Sequence, residues 1–177
     1  LTSPRSWQIG SMEDAHQVAI DAHYPVVLKW SNPQIVAAKL EQFQLPQDKC
    51  RYVHGPDALL KYLSQFEIMG RYPLIQEHAR GTGIGHMLFM HNGSPALTFQ
   101  HRRIQEWPPE GGFSAVCESL PPDANPELME KSVALLQSIG WSGPAMVEYR
   151  YDATVRAAVL MEVNGRFWGS QPLAYHT

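Results

Sequence analysis

The sequence predicts an α+β fold in which most strands are antiparallel and helices pack on them. Helix-type patterns with capping residues alternate with short apolar strand patterns in the first half of the chain. Asn92-Gly93 stands between two further strand patterns and is a strong β-hairpin signal. Near the C-terminus, a turn at Asp152 joins two more strand patterns. This mixed order differs from the regular alternation that a parallel sheet requires.

Three helices and three short strands are predicted in the first half of the chain. Ser11 is suited to cap the first helix, and the acids that follow it favour the positive end of the helix dipole. In chain order the elements are a helix from Ser11 to about His23, a strand at 26–30, a helix at 34–43, a strand at 49–53, a helix that starts near Pro56, and a strand at 72–78.

The second half is predicted to be richer in strands. A glycine-rich turn is expected at 81–85, and it is not a dinucleotide fingerprint, because a strand pattern follows it instead of a helix. The remaining elements are strands at 86–91 and 95–103, a loop at 108–112, a strand at 114–120, a helix at 126–139 that Gly140 closes, and strands at 145–151 and 157–163.

Composition excludes several classes of function. The 177 residues are 44% apolar, which is typical of a folded chain with room for one sizeable domain or two small lobes. The net charge is −3 without a long run of Lys or Arg, which argues against a nucleic-acid or anionic-membrane partner. No segment approaches the ~20 apolar residues of a membrane helix. Cys50 and Cys117 are expected to be free thiols, which fits a cytoplasmic location.

A group of oxygen-bearing side chains is expected on the last two strands. Alternation along a strand places Glu162 and Asn164 on one face, and Leu160 on that same face. If the two strands pair antiparallel, Glu148 comes beside Glu162. Two carboxylates and an amide are hard ligands of the kind that Mg²⁺ selects. The alternative is that these are ordinary solvated residues at strand ends.

Several cations and one strand end are candidates for binding an anionic ligand. Lys29 ends an apolar strand, where it can hold a phosphate or extend its ammonium into solvent. Arg102 and Arg103, with the Gly111-Gly112 loop, can enclose an oxyanion or form a solvated hairpin end. Arg166 is suited to a phosphate or carboxylate oxygen. The polar end of the strand at 74–79 can contact an adenine edge, although exposed strand ends look the same.

Four segments, taken in order, resemble the ATP-grasp superfamily, and most closely its carbamoyl-phosphate-synthase-like and biotin-carboxylase-like branch. They are YPVVLK at 24–29, PLIQE at 73–77, GWSGPAMVE at 140–148 and LMEVNGRFWGS at 160–170. The last segment is the most specific, and the resemblance covers nearly the whole chain.

The resemblance implies two small α+β lobes, 1–78 and 79–177, with a nucleotide cleft between them. It implies that Lys29 contacts the ATP phosphates and takes part in catalysis together with Arg166, which orients the γ-phosphate or the incoming carboxylate. The other implied ligands are Gln76, Glu77, His78 and Ala79 at the adenine, Arg103 at the nucleotide, and Glu148, Glu162 and Asn164 at Mg²⁺, or at Mn²⁺ in its place.

The implied activity is that of an ATP-dependent ligase that joins a carboxylate to an amine or a thiol through an acyl phosphate. Small-molecule substrates and a homodimer fit the resemblance. The glycine-rich lid and the upstream substrate domain of the family are missing here, so we also expect a fragment or a processed product. A non-catalytic nucleotide-binding module and a Mg²⁺-dependent phosphotransferase stay open as alternatives.

Overall fold

The computed structural model describes residues 1–107 and 113–175 and divides into two compact units. One is Pro4–His78, and the other is Leu1–Ser3 together with Ala79–Thr177. The assignment of 1–78 and 79–177 as two lobes of one nucleotide-binding domain stays a prediction. The loop at 108–112, with Gly111-Gly112, lies outside the described residues. Within the described ranges, no helix has both the length and the apolar character needed to cross a bilayer.

The unit Pro4–His78 is a four-stranded antiparallel sheet of order β1-β4-β2-β3 with helices packed on it. Its elements are β1 Ser6–Trp7, α1 Met12–Asp21, β2 Val26–Lys29, α2 Pro33–Gln42, β3 Arg51–Val53, α3 Pro56–Leu63, a 3₁₀ helix Ser64–Met69 and β4 Leu74–Glu77. Ser11 caps α1 in a capping box with Asp14, as the sequence predicts.

The core of this unit lies between one face of the sheet and the three α-helices. Val26, Leu28 and Ile75 are at most 2% exposed and pack with the buried faces of α1, α2 and α3. Strand side chains alternate between faces, so Val27, Lys29 and Gln76 lie on the face away from the helices. That face therefore carries Lys29 and Gln76.

The larger unit is a five-stranded antiparallel sheet of order β7-β6-β5-β8-β9. Its elements are β5 Thr82–His91, β6 Ser94–Trp107, β7 Phe113–Ser119, α4 Pro126–Ser138, β8 Gly143–Asp152, β9 Ala157–Asn164 and α5 Gln171–Tyr175. Asn92 and Gly93 have φ values of 50° and 75°, which form the predicted hairpin turn between β5 and β6.

Only one face of the larger sheet packs on α4. Leu88, Val147 and Tyr149 are at most 1% exposed and form an apolar cluster with Leu128 and Leu136 of this helix. A polar group lies in the same layer: Ser132 of α4 approaches His86 Nδ1 at 2.9 Å and Tyr149 OH at 2.7 Å. Helix α4 therefore covers the even-numbered positions of β5 and the odd-numbered positions of β8.

Two sequence predictions for this unit are wrong. The glycine-rich segment at 81–85 is not a turn, because β5 begins at Thr82 and pairs through Gly83 and Gly85 with β8. Leu160 does not share the face of Glu162. A β-bulge at this point of the β8–β9 ladder pairs Tyr149 with Leu160, and Leu160 packs in the apolar cluster against α4. The short helix α5 of this unit, and the short strand β1 of the smaller unit, were not predicted.

Candidate functional site

Two glycines lie in β5 on the face of the larger sheet that α4 leaves uncovered. A methyl group on Gly83 would lie 2.6 Å from Arg103 Cδ, and one on Gly85 would lie 2.5 Å from His101 Nε2. Both distances are shorter than atoms tolerate, so the side chains of β6 lie directly over the glycines of β5. The absence of side chains at Gly83 and Gly85 thus lets Arg103 and His101 pack directly against the backbone of β5.

Glu148 and Glu162 are directly opposite each other on this face, and this confirms the predicted pairing of the two strands. Asn164 donates a hydrogen bond from Nδ2 to Glu148 Oε1 at 3.1 Å. Arg166 Nη2 reaches Asn164 Oδ1 at 3.4 Å. The structure therefore brings together the three predicted metal ligands and Arg166.

An arginine–glutamate network continues from Glu148 across the sheet. Arg103 forms an ion pair with Glu148, and its Nη1 lies 3.6 Å from Glu106 Oε1. Arg150 Nη2 lies 2.6 Å from Glu106 Oε2. All four side chains are less than 20% exposed, so solvent screens these pairs weakly.

Glu106 reaches this network because β6 is irregular. Residues three apart on a regular strand face opposite sides of the sheet. The β6–β7 register shifts between Arg103 and Gln105 and again between Gln105 and Glu106. These irregularities bring Glu106 to the side of Arg103. The sequence gives no local signal for this, which is why Glu106 and its partner Arg150 were missed.

Electrostatics at Glu148 favour a cation. Burial raises the pKa of Glu148 above its usual value; Arg103 lowers it, and Glu162 raises it again. A buried carboxylate with a second carboxylate beside it is stabilised by positive charge between the two. Arg103 supplies part of that charge in this structure.

His101 is a further buried group on this face that the sequence analysis did not select. It is 3% exposed, and its Nδ1 lies 2.8 Å from Ser170 Oγ. Burial lowers the pKa of His101 from 6.5 to about 4, so the ring is neutral at pH 7. Its Nε2 has no hydrogen-bond partner within the described ranges. The glycine at position 85, which packs under the ring, is the one sequence feature related to this histidine. A glycine-rich stretch alone, however, does not predict which residue of the neighbouring strand lies over it.

In the smaller unit the structure joins two of the predicted ATP ligands. Lys29 Nζ donates a hydrogen bond to Gln76 Oε1 at 2.9 Å, and Gln76 Nε2 donates to Ser6 Oγ at 2.8 Å. Lys29 is the last residue of β2, and Gln76 lies opposite Val27 on β4. The ammonium is therefore held against the sheet on the face that the helices leave uncovered.

The remaining predicted adenine-binding residues follow at the end of β4. Glu77 Oε1 accepts hydrogen bonds from the backbone N–H of His23 at 3.2 Å and lies 3.0 Å from the ring Nδ1 of His23. The backbone N–H of His78 donates to Pro25 O at 3.2 Å. Ala79 begins the second segment of the larger unit. None of these contacts assigns a ligand to the residues involved.

Among known proteins, the chain matches solved structures but no family model and no curated sequence. The biotin carboxylase of Campylobacter jejuni, in complex with a β,γ-ATP ligand, superposes with a TM-score of 0.71 at 15% identity and over 99% of this chain. The chain has an ATP-grasp fold of the biotin carboxylase kind.

Two further structures agree with this fold. The biotin carboxylase domain of the Hydrogenobacter thermophilus 2-oxoglutarate carboxylase, in complex with MgADP, ADP and bicarbonate, matches with a TM-score of 0.69 at 16% identity over 97% of this chain. N5-carboxyaminoimidazole synthetase from Staphylococcus aureus matches with a TM-score of 0.63 at 12% identity over 96%. The chain spans 38% to 41% of the length of these three proteins.

The side chains on the Glu148 face of the larger sheet fit a hard cation by their chemistry. Within the described ranges, no cluster of three His, Cys, Asp or Glu side chains could hold a metal ion. Glu148 and Glu162 have carboxylates, and Asn164 has an amide oxygen, Oδ1, which accepts a hydrogen bond from Arg166 Nη2 in this structure. Such a partial set suits Mg²⁺, which keeps several waters and is bound by one or two carboxylates together with phosphate oxygens.

Proposed function

We propose that this chain is the ATP- and Mg²⁺-binding part of a cytoplasmic ATP-dependent ligase that activates a carboxylate as an acyl phosphate. The observation that supports it most is the opposed pair Glu148 and Glu162, with Asn164 and Arg166 beside them, on the sheet face that α4 leaves uncovered. The ATP-grasp fold supports the same assignment, because solved structures with this fold include complexes with MgADP and with a β,γ-ATP ligand.

The proposed reaction has two steps. A carboxylate oxygen of the substrate attacks the γ-phosphorus of ATP, the bond to the bridging oxygen breaks, and ADP leaves with that electron pair. An amine, or a thiol in its place, then attacks the acyl carbon, loses a proton and expels phosphate. Bound Mg²⁺ would neutralise charge on the phosphate oxygens, which is the main requirement of phosphoryl transfer.

The residues of the chain have separate roles in this proposal. Glu148 and Glu162 hold the cation, or Mn²⁺ in its place, and Asn164 adds its amide oxygen. Arg166 orients the γ-phosphate or the carboxylate, and its guanidinium already lies beside the metal-binding set. Lys29 contacts the phosphates, with Gln76 holding its ammonium.

Two further parts of the chain contact the nucleotide in this proposal, the end of β4 and Arg103 of β6. The strand end formed by Gln76, Glu77, His78 and Ala79 binds adenine through backbone groups. Arg103 contacts the nucleotide from the larger sheet, where it forms its ion pair with Glu148. Since the cation would neutralise Glu148, its arrival would free the Arg103 guanidinium to pair with phosphate oxygens.

Calorimetric titration with ATP, in the presence and absence of Mg²⁺, tests the proposal. The wild-type chain should bind ATP more tightly with Mg²⁺ than without it. Glu162→Gln and Asn164→Ala should each weaken the Mg²⁺-dependent affinity by about tenfold or more, because loss of groups at a metal site typically costs 10- to 100-fold.

Glu118→Gln is the matched control for this titration. Glu118 is also a glutamate on the same sheet, but its side chain is 45% exposed and pairs with Arg102. This variant should bind Mg·ATP as the wild type does. Equal Mg²⁺-dependent affinity in the wild type, Glu162→Gln and Asn164→Ala would refute the metal site.

A non-catalytic nucleotide-binding module is the second candidate, and one contact favours it. Arg103 already forms an ion pair with Glu148, so positive charge is present there without a metal. The two candidates differ in turnover: a ligase releases ADP with a suitable carboxylate, and hydroxylamine traps its acyl phosphate as a hydroxamate. ATP binding without ADP release across a panel of carboxylates and amines would favour the non-catalytic module, and ADP release without hydroxamate would favour a phosphotransferase.

A further inference from the structure

The polar face of the larger sheet continues into an apolar cavity. Strand residues two apart share a face, so Met87 and Phe99 follow Gly85 and His101 on the side of Glu148. Together with Phe89, Leu97, Phe167 and Trp168, they line a cavity of about 810 Å³. This volume is within the range of small-molecule sites, which are mostly apolar with a few polar groups.

Met87 and His101 meet at the border of the two regions. A methyl group on Gly85 would lie 2.5 Å from His101 Nε2 and 3.3 Å from Met87 Sδ. The space above Gly85 therefore marks the border between the polar side chains of this face and the apolar lining of the cavity. Because Gly85 pairs with Glu148, a ligand in the cavity would have one end near Glu148.

In the part of the chain that the structure describes, two buried nitrogen atoms near the cavity lack hydrogen-bond partners, one on His101 at this border and one on Trp168 in the cavity lining. His101 Nε2 and Trp168 Nε1 have no hydrogen-bond partner within residues 1–107 and 113–175. When Ser170 donates its hydroxyl hydrogen to His101 Nδ1, the neutral ring has its proton on Nε2. Unsatisfied buried N–H groups are costly, and oxygens of an anionic ligand would satisfy them. A protonated amine has no lone pair to offer and fits this border poorly.

We propose that this cavity binds the apolar body, aromatic or long aliphatic, of the carboxylate substrate, with the carboxylate at the His101 end. The proposal rests on the ligase function proposed above and names the class of carboxylate on which it acts. Apolar residues that are largely exposed at the cavity support it, because Leu97 is 70% and Phe167 52% exposed without a ligand.

Calorimetric titration with 3-phenylpropanoate tests the cavity, and propanoate provides the comparison without the ring. 3-Phenylpropanoate should bind saturably and at least about tenfold more tightly than propanoate, since even a methylene in an apolar pocket changes affinity by ~10-fold or more. Leu97→Asp should weaken its binding at least about tenfold. Val155→Asp is the matched control, because Val155 is 68% exposed in the same unit and is not part of the lining.

A titration with Mg·ATP on the same samples separates this inference from the proposed function. Mg·ATP binding without 3-phenylpropanoate binding refutes the cavity assignment alone. Binding of 3-phenylpropanoate without Mg·ATP refutes the ligase function and leaves an apolar carboxylate site. If Leu97→Asp does not fold, Phe167→Gln replaces it. Equal affinities for the two carboxylates, or a dimer in sedimentation that Leu97→Asp dissociates while no carboxylate binds, would overturn the proposal.

Discussion

Two neighbouring arginines on β6 illustrate how burial decides the value of an ion pair. Arg102 pairs with Glu118, where the side chains are 50% and 45% exposed. Arg103 pairs with Glu148, where they are 16% and 15% exposed. Exposed pairs contribute little because water screens them, whereas removal of one partner of a buried pair leaves an uncompensated charge.

Arg103→Met should therefore destabilise the chain by roughly 3 kcal/mol, because it leaves Glu148 buried beside Glu162. Arg102→Met is the matched control and should cost less than about 1 kcal/mol. Urea unfolding of the two variants measures both free energies. Equal losses of unfolding free energy in the two variants would contradict the role assigned to burial. The double variant Arg103→Met with Glu148→Leu should recover part of the loss, because it leaves no unpaired buried charge at position 148.

Stability should also depend on pH through two buried histidines. Burial lowers the pKa of His86 and of His101 from 6.5 to about 4. Between pH 6.5 and pH 4 the unfolded chain binds more protons than the folded chain. The free energy of unfolding therefore falls as the pH drops from 6.5 towards 4. The full effect is at most roughly 3 kcal/mol for each histidine.

Denaturant unfolding at several pH values between 7 and 4 measures this dependence. His86→Gln should reduce the slope, whereas His16→Gln, at an exposed position, should keep it. A free energy of unfolding that stays constant between pH 6.5 and 4.5 in the wild type would contradict the buried, neutral state of both rings.

At the level of elements, the glycines of β5 have a structural function that their spacing did not predict. Glycine-rich stretches usually form turns, and 81–85 was predicted as one. Here Gly83 and Gly85 are within a strand, because the side chains of Arg103 and His101 occupy the space above them. This reason belongs to the facing strand, so no pattern within 81–85 reveals it.

Gly85→Ala should destabilise the chain by about 1–3 kcal/mol, the usual cost of overpacking, because His101 is hydrogen-bonded to Ser170 and has little freedom to move. Gly169→Ala is the matched control, since no atom lies within 4 Å of the added methyl group. Thermal unfolding of both variants measures the difference. A Gly85→Ala variant as stable as the control would show that the space above β5 is open.

Bulges account for the other failures at this scale. Strict alternation placed Leu160 beside Glu162, but the bulge in the β8–β9 ladder turns Leu160 towards α4. The irregular register of β6 brings Glu106 to Arg103. Alternation did predict the pairing of Glu148 with Glu162, because both residues lie on the regular side of the bulge.

At the level of the whole molecule, the fold was predictable from the order of four short segments. The segments at 24–29, 73–77, 140–148 and 160–170 contain the strand ends and turns that position polar side chains. The matching structures have the same fold although only 12% to 16% of the residues are identical. The apolar cavity was not predictable, because residues of β5 and β6, the segment 119–122 and the chain after Gly165 form it together. Contacts between distant segments leave no periodic pattern in the sequence.

The central claim is that Glu148 and Glu162 together hold a divalent cation with ATP. Electron paramagnetic resonance with Mn²⁺ measures the bound ion directly, by the loss of the free Mn²⁺ signal. With ATP present, the wild-type chain should bind one or two Mn²⁺ ions beyond those that ATP binds alone, and the control Glu118→Gln should bind the same number. Glu162→Gln and Glu148→Gln should each lose at least one of them, and an unchanged number of bound ions in both variants would contradict the claim.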